Sequence, residues 1–152
     1  MAVGQAYFYL MSQAPPLLLF ENTAGQLLAD PAGFLRADWG PRSRTPADTR
    51  ALLHGILREL QRRGWGRVLV NQVEMLPFSG PEQRWIAQEW LPQAVASGYR
   101  HGAVVISPNV LVRLSSAFVA SHAQGLPLVY RSFENEDLAL RWLLRQPASA
   151  LG

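Results

Sequence analysis

The sequence predicts an α/β domain built on a mixed β-sheet, an N-terminal antiparallel meander followed by helix–strand units. About four helices pack largely on one face of that sheet. Three observations predict this. Turn-forming tetrads, Asn22-Thr23-Ala24-Gly25 and Asp30-Pro31-Ala32-Gly33, separate the first apolar runs. Downstream, capped amphipathic stretches alternate with short apolar segments such as RVLVN at Arg67–Asn71. At 152 residues, 49% hydrophobic and 16% charged, the chain has the composition of one globular domain. A domain of that size buries roughly 68–70% of its unfolded-chain surface.

Taken in order, residues 1–16 read as an N-terminal arm or extra edge strand ending at Pro15-Pro16. Its apolar AYFYLM run is shorter than the roughly 20 residues of a membrane span and lacks the basic flank of a signal peptide. Residues 17–146 read as a single domain, and 147–152 as a loose tail. Leu17–Glu21, Gln26–Ala29 and Phe34–Trp39 form the meander. Thr45 caps the first helix, Pro46 suits its first position, and Asp48 complements its dipole. Leu52, Leu53, Ile56, Leu57 and Leu60 make its apolar face, and Arg62, Arg63 and Gly64 close it. Arg67–Asn71 is then a buried strand.

Ser79 opens the second helix, with Glu82 completing a capping box. Ala87, Leu91, Ala94 and Val95 share one face of it, and Pro92 predicts a kink near Gln88–Trp90. Ala103–Ile106 is the next strand. Ser107-Pro108 starts a third helix with Leu111, Leu114 and Phe118 inward, ending near Gly125. Leu128–Arg131 is the last strand, and Asn135 caps a final helix carrying Leu138, Ala139, Trp142 and Leu143. Right-handed crossovers place the helices that link parallel strands on one side of the sheet.

The helix SGPEQRWIAQEWLPQAVASG, the strand GAVVIS and the ending YRSFENEDLALRWL resemble bacterial STAS-like, SpoIIAA-like domains, in particular the small stand-alone STAS or CRAL-TRIO-like group. Trp85, Trp90, Pro92, Gly98, Phe133, Ala139, Trp142 and Leu143 carry the resemblance, which covers roughly Leu17–Arg145. It implies a non-enzymatic domain of protein–protein regulation, some members of which bind small ligands. Anti-sigma-factor antagonists of that family carry a phosphorylated Ser in an Asp–apolar–Ser motif after a central strand. Here Asn71-Gln72-Val73-Glu74 follows the strand, so the phosphoswitch does not transfer.

Other chemistry is sparse. The chain has no Cys, which removes disulfides, thiolate metal sites and cysteine nucleophiles. His54, His101 and His122 share no ligand spacing, and no nucleophile elbow is present, so no catalytic, metal or cofactor residue is assigned. All fourteen basic residues are Arg and the net charge is only +3. Arg42, Arg44, Arg50, Arg58, Arg62, Arg63 and Arg67 read as a solvated, dipole-compensating face, and nucleic acid is not an expected partner. Ser79 is the nearest thing to a phosphosite, but its first role is the cap.

The five Trp are more informative. Trp85 and Trp90 point about 140° apart on a helix, so both cannot face one core. Together with Phe78 they form the expected ligand or partner surface. The sequence therefore predicts a cytoplasmic, non-catalytic module that binds another protein or itself as a homodimer. The alternative is a small apolar ligand or lipid held between helices and sheet.

Overall fold

Turn chemistry builds the first half of the sheet. The computed structural model describes residues 14–150, and within them β1 (Leu17–Asn22), β2 (Gly25–Asp30) and β3 (Phe34–Trp39) form the antiparallel meander. Asn22 Oδ1 accepts from the Ala24 amide at 2.9 Å, and Asp30 Oδ1 accepts from the Ala32 amide at 2.9 Å. Gly25 sits so close to β3 that a Cβ there would lie 2.0 Å from the Asp38 carbonyl oxygen. The expected arm lies mostly outside the described residues.

Parallel strands β4 (Arg67–Asn71), β5 (His101–Val105) and β6 (Val129–Phe133) complete a six-stranded sheet ordered β1-β2-β3-β4-β5-β6, as in the chain. Helix α1 (Pro46–Arg63) links β3 to β4. Helix α2 links β4 to β5 in three consecutive segments, Gly80–Trp85, a π-helical turn Ile86–Trp90, and Leu91–Ala96. Helix α3 (Val110–Ser121) links β5 to β6, and α4 (Glu136–Leu144) follows.

Because every crossover steps the same way along the sheet, α1, α2 and α3 fall on one face. The main core lies there, with Leu27, Leu35, Leu52, Leu60, Val68, Leu91, Tyr99 and Val112 almost fully enclosed. Helix α4 turns to the other face, where Ala139, Leu140, Trp142 and Leu143 cover Phe34, Leu69, Ala103 and Val105. Arg67 is buried at that end. Its guanidinium donates to the carbonyls of Ala32, Gly33, Leu143 and Gln146, tying β4 to the β2–β3 turn and the end of α4. It therefore forms no part of a solvated basic face.

The capping signals locate the helices well. Thr45 and Ser79 both make reciprocal capping boxes, with Asp48 and Glu82, and Asn135 accepts from the Leu138 amide at 3.0 Å. The irregularity expected from Pro92 takes the form of the π turn, in which the Leu91 amide reaches the Ile86 carbonyl one residue beyond the α-helical partner.

Helix α3 corrects the sequence reading. Leu111, Leu114 and Phe118 do not point inward; they are 62%, 62% and 37% exposed, and Val112, Ser115 and Val119 are buried instead. The helix is capped by Asn109, whose side chain accepts from the Leu111 and Val112 amides, and its last residue is Ser121 rather than one near Gly125. Residues 147–150, expected to be loose, are held by hydrogen bonds from the Gly66 amide to the Ala148 carbonyl and from the Ala150 amide to the Gly64 carbonyl.

Candidate functional site

In an open α/β sheet, loops at the carboxyl ends of parallel strands are the usual place for a ligand, because side chains from several strands converge there. Three features meet at that end here. They are a polar lock at the start of α2, an apolar chamber beneath it, and a slot between α3 and the edge of the sheet.

The lock centres on Glu82. Its carboxylate accepts from the Ser79 amide at 2.8 Å, from Arg44 Nε at 3.1 Å and Nη2 at 3.2 Å, and from the Thr49 hydroxyl. Burial alone would raise the Glu82 carboxyl, but these bonds outweigh it and hold its pKa below the ordinary value. Arg44 also donates to the Leu76 and Pro77 carbonyls and lies over the rings of Trp39 and Phe78 at 5.5 and 5.3 Å. Arg44 is thus an interior fastener, paired and stacked. Ser79 is exposed, with its hydroxyl accepting from the Glu82 amide at 3.2 Å.

Phe78 and Trp90, two of the three residues singled out in the sequence, come together in the chamber with Trp39, Val70, Tyr99 and Tyr130. Trp90 donates its indole N–H to the Leu53 carbonyl at 2.9 Å, so its polar atom is satisfied. Trp85 lies apart from them. It stacks edge-on with His54 at 5.4 Å and beneath Arg50 at 5.1 Å, half-buried beside α1. The open space of the chamber is about 30 Å3, room for one or two waters.

Toward β6 the chamber meets a larger slot of about 150 Å3. Gln72, Ser116, Ala120 and Tyr130 belong to both. Val104 and Ile106 form its sheet wall, Ala117 and Ala120 its helix wall, and Arg113 and Ser132 lie at its polar margin. Gln72 is 3% exposed and accepts from the Ser116 hydroxyl at 2.7 Å through Oε1. Arg113 donates through Nε to the Ser107 carbonyl at 2.6 Å, which anchors the guanidinium without a carboxylate partner among the described residues.

Gly102 makes this arrangement possible. A Cβ on it would lie 2.2 Å from the Tyr99 hydroxyl and 2.7 Å from the Tyr130 ring, so the bare backbone of β5 lets the two phenols stand over it. Burial raises the pKa of both, keeping them neutral. Neither hydroxyl has a hydrogen-bond partner among the described residues.

Against known protein families, curated proteins and solved structures, the chain has no match. The site is therefore read from its own chemistry. A separate polar cleft of about 360 Å3 lies where β3 and β4 end against the β1–β2 turn, with Asp38, Asn71, Glu74 and Arg42 in its wall. Desolvation raises the Asp38 carboxyl there, although Gln26 donates to it at 3.3 Å. The histidines stay apart. His54 packs on Trp85, His101 on Trp142 at 5.9 Å, and His122 lies within 3.0 Å of the Phe118 carbonyl through Nδ1. No cluster of three or more metal-ligating side chains occurs among the described residues. Of the arginines read as one basic face, Arg58, Arg62 and Arg63 surround the nearly buried Glu59, while Arg44 and Arg67 are internal.

Outside the slot, α3 presents Val110, Leu111, Leu114 and Phe118 to solvent, and the β4–α2 loop adds exposed Val73 and Leu76. Sequence reasoning found the residues of α3 but assigned them to the core. It missed Gln72, Arg113 and Tyr130. The available signals were a Gln directly after an apolar strand and small residues at Ala117 and Ala120, one helical turn apart. Among the described residues, no helix is long and apolar enough to cross a membrane.

Proposed function

We propose that this chain is a non-catalytic, STAS-like binding module that works in the cytoplasm as a regulatory domain. It takes a partner protein or a second copy of itself on the outer face of α3. The observation that carries the reading is the exposure of Val110, Leu111 and Leu114 at 66%, 62% and 62% on a helix whose other side is already docked. A surface helix ordinarily turns charge to solvent, and contiguous exposed apolar residues mark an interaction surface. The exposed face of α3 carries no carboxylate, so the apolar effect drives association and added salt weakens it little.

The experiment compares the wild type with Leu111→Glu/Leu114→Glu by native mass spectrometry and sedimentation velocity across a concentration series, then by quantitative partner capture. The expected result is a dimer or a defined complex that the double variant loses while its circular dichroism and melting temperature stay unchanged. A wild type that is monomeric throughout and captures the same proteins as the variant would overturn the reading.

A further inference from the structure

We infer that the slot between α3 and strands β5–β6 is a binding site for a small monocyclic carboxylate. The inference does not depend on partner association, because it uses the flank of α3 that carries Arg113, Ser116, Ala117 and Ala120, and not the face that carries Val110, Leu111 and Leu114.

Size comes first. The slot's volume of about 150 Å3 matches that of an apolar cavity able to hold a single benzene ring, about 150 Å3. Drug-sized ligands occupy pockets of about 300 Å3 upward. The adjoining chamber, which shares Gln72, Ser116, Ala120 and Tyr130 with the slot, adds only about 30 Å3. Shape agrees with size. Val104 and Ile106 on one side and Ala117 and Ala120 on the other leave a gap between a branched wall and a small-residue wall, suited to a flat ring.

Charge then selects among ring compounds. No Asp or Glu lines the slot. Gln72 uses its oxygen to accept from Ser116, which leaves its amide nitrogen as a donor without an acceptor among the described residues. The Tyr130 hydroxyl is a neutral donor without a partner there, and Arg113 is fixed by its Nε with its terminal nitrogens uncommitted. Donors without acceptors, around an apolar slot with a cation at its margin, complement an anion with an apolar body. The guanidinium fork fits a carboxylate in two-point fashion.

Benzoate is the probe, with toluene as its uncharged analogue. Binding to the full chain is read by saturation-transfer NMR and titration calorimetry. Benzoate is expected to bind saturably and toluene more weakly. Arg113→Met should weaken benzoate at least ten-fold while leaving toluene unchanged. Ala120→Phe should fill the slot and abolish both. Ala117→Leu, at a more exposed wall position, should do the same in part if Ala120→Phe does not fold. The Leu111→Glu/Leu114→Glu variant should bind benzoate like the wild type, which separates this site from the outer face. Absence of saturable benzoate binding, binding that survives both the Arg113→Met and Ala117→Leu changes, or toluene binding as tight as benzoate would each overturn the assignment.

Discussion

Helices α1 and α3 do the same structural job and do it with opposite surfaces. Each carries the chain from one parallel strand to the next on the same face of the sheet. In α1 the apolar side chains Leu52, Leu53, Ile56, Leu57 and Leu60 are buried, and Arg50, Arg58 and Arg62 meet solvent. Its one nearly buried carboxylate, Glu59, is met by Arg63 at 3.1 Å and Arg62 at 3.3 Å. In α3 the buried stripe is Val112, Ser115 and Val119, with a hydroxyl in its middle, while the larger leucines lie outside. The residues of α1 are accounted for by folding alone. Those of α3 are not, and the excess apolar surface is where a second selective demand shows.

The comparison breaks most decisively by truncation. Leu60→Ala, at a fully enclosed site in α1, is expected to cost about 2–5 kcal/mol in urea denaturation. Leu114→Ala in α3 should change stability by about 0.5 kcal/mol or less in the isolated chain. Equal losses would mean that α3 docks differently from the arrangement described. Val119→Ala removes buried carbon on the inner side of the same helix and should cost about 2 kcal/mol, between those two values.

Smaller effects sharpen the contrast at the helix starts. Asn109→Ala removes the cap of α3 and Ser79→Ala that of α2, each for about 1 kcal/mol by the same denaturation assay. A larger loss for Ser79 would show that its bond to Glu82 transmits to the Arg44 lock. The lock itself predicts a pH signature. Because the folded-state pKa of Glu82 is lowered from 4.5, its contribution is complete above 4.5 and is lost as pH falls through the lower folded value. Glu82→Gln should therefore flatten the acid side of the stability profile. Asp38 has the opposite sign, since its folded pKa is raised from 3.8, and stability is lost as pH climbs from 3.8 through the folded value. Asp38→Asn should remove that loss, so a pH titration of the two variants should bend in opposite directions.

Much of the architecture was legible because local chemistry and global fold agree. The Asn22–Gly25 and Asp30–Gly33 turns announce the meander, and Thr45, Ser79 and Asn135 announce helices that begin where the caps sit. The face of α3 was not legible for a specific reason. Leu111, Leu114 and Phe118 have the same i, i+3, i+7 spacing as Val112, Ser115 and Val119, offset by one residue. Periodicity cannot choose between two stripes of equal spacing, and hydrophobicity favoured the wrong one because the buried stripe includes Ser115. Strand ends slipped for a similar reason, since β5 starts at His101 and β6 runs to Phe133, both beyond the apolar runs. The slot was invisible because Gln72, Arg113 and Tyr130 come from three elements, and only the sheet order brings them together.

That sheet order also has a consequence for how the molecule is made. Since each described strand after β1 pairs with the one synthesised just before it, every such strand finds a finished edge waiting as it emerges, and none of the described strands must wait for a later one to be inserted beside it. The second face is the exception. Phe34, Leu69, Ala103 and Val105 are in place once β5 is made, yet their cover is α4, which is complete only at Leu144. At ordinary elongation rates the intervening stretch, roughly forty residues, takes about two to eight seconds. For that interval the nascent sheet carries a bare apolar face, and a chaperone has its clearest target there rather than at the surface left open in the finished protein.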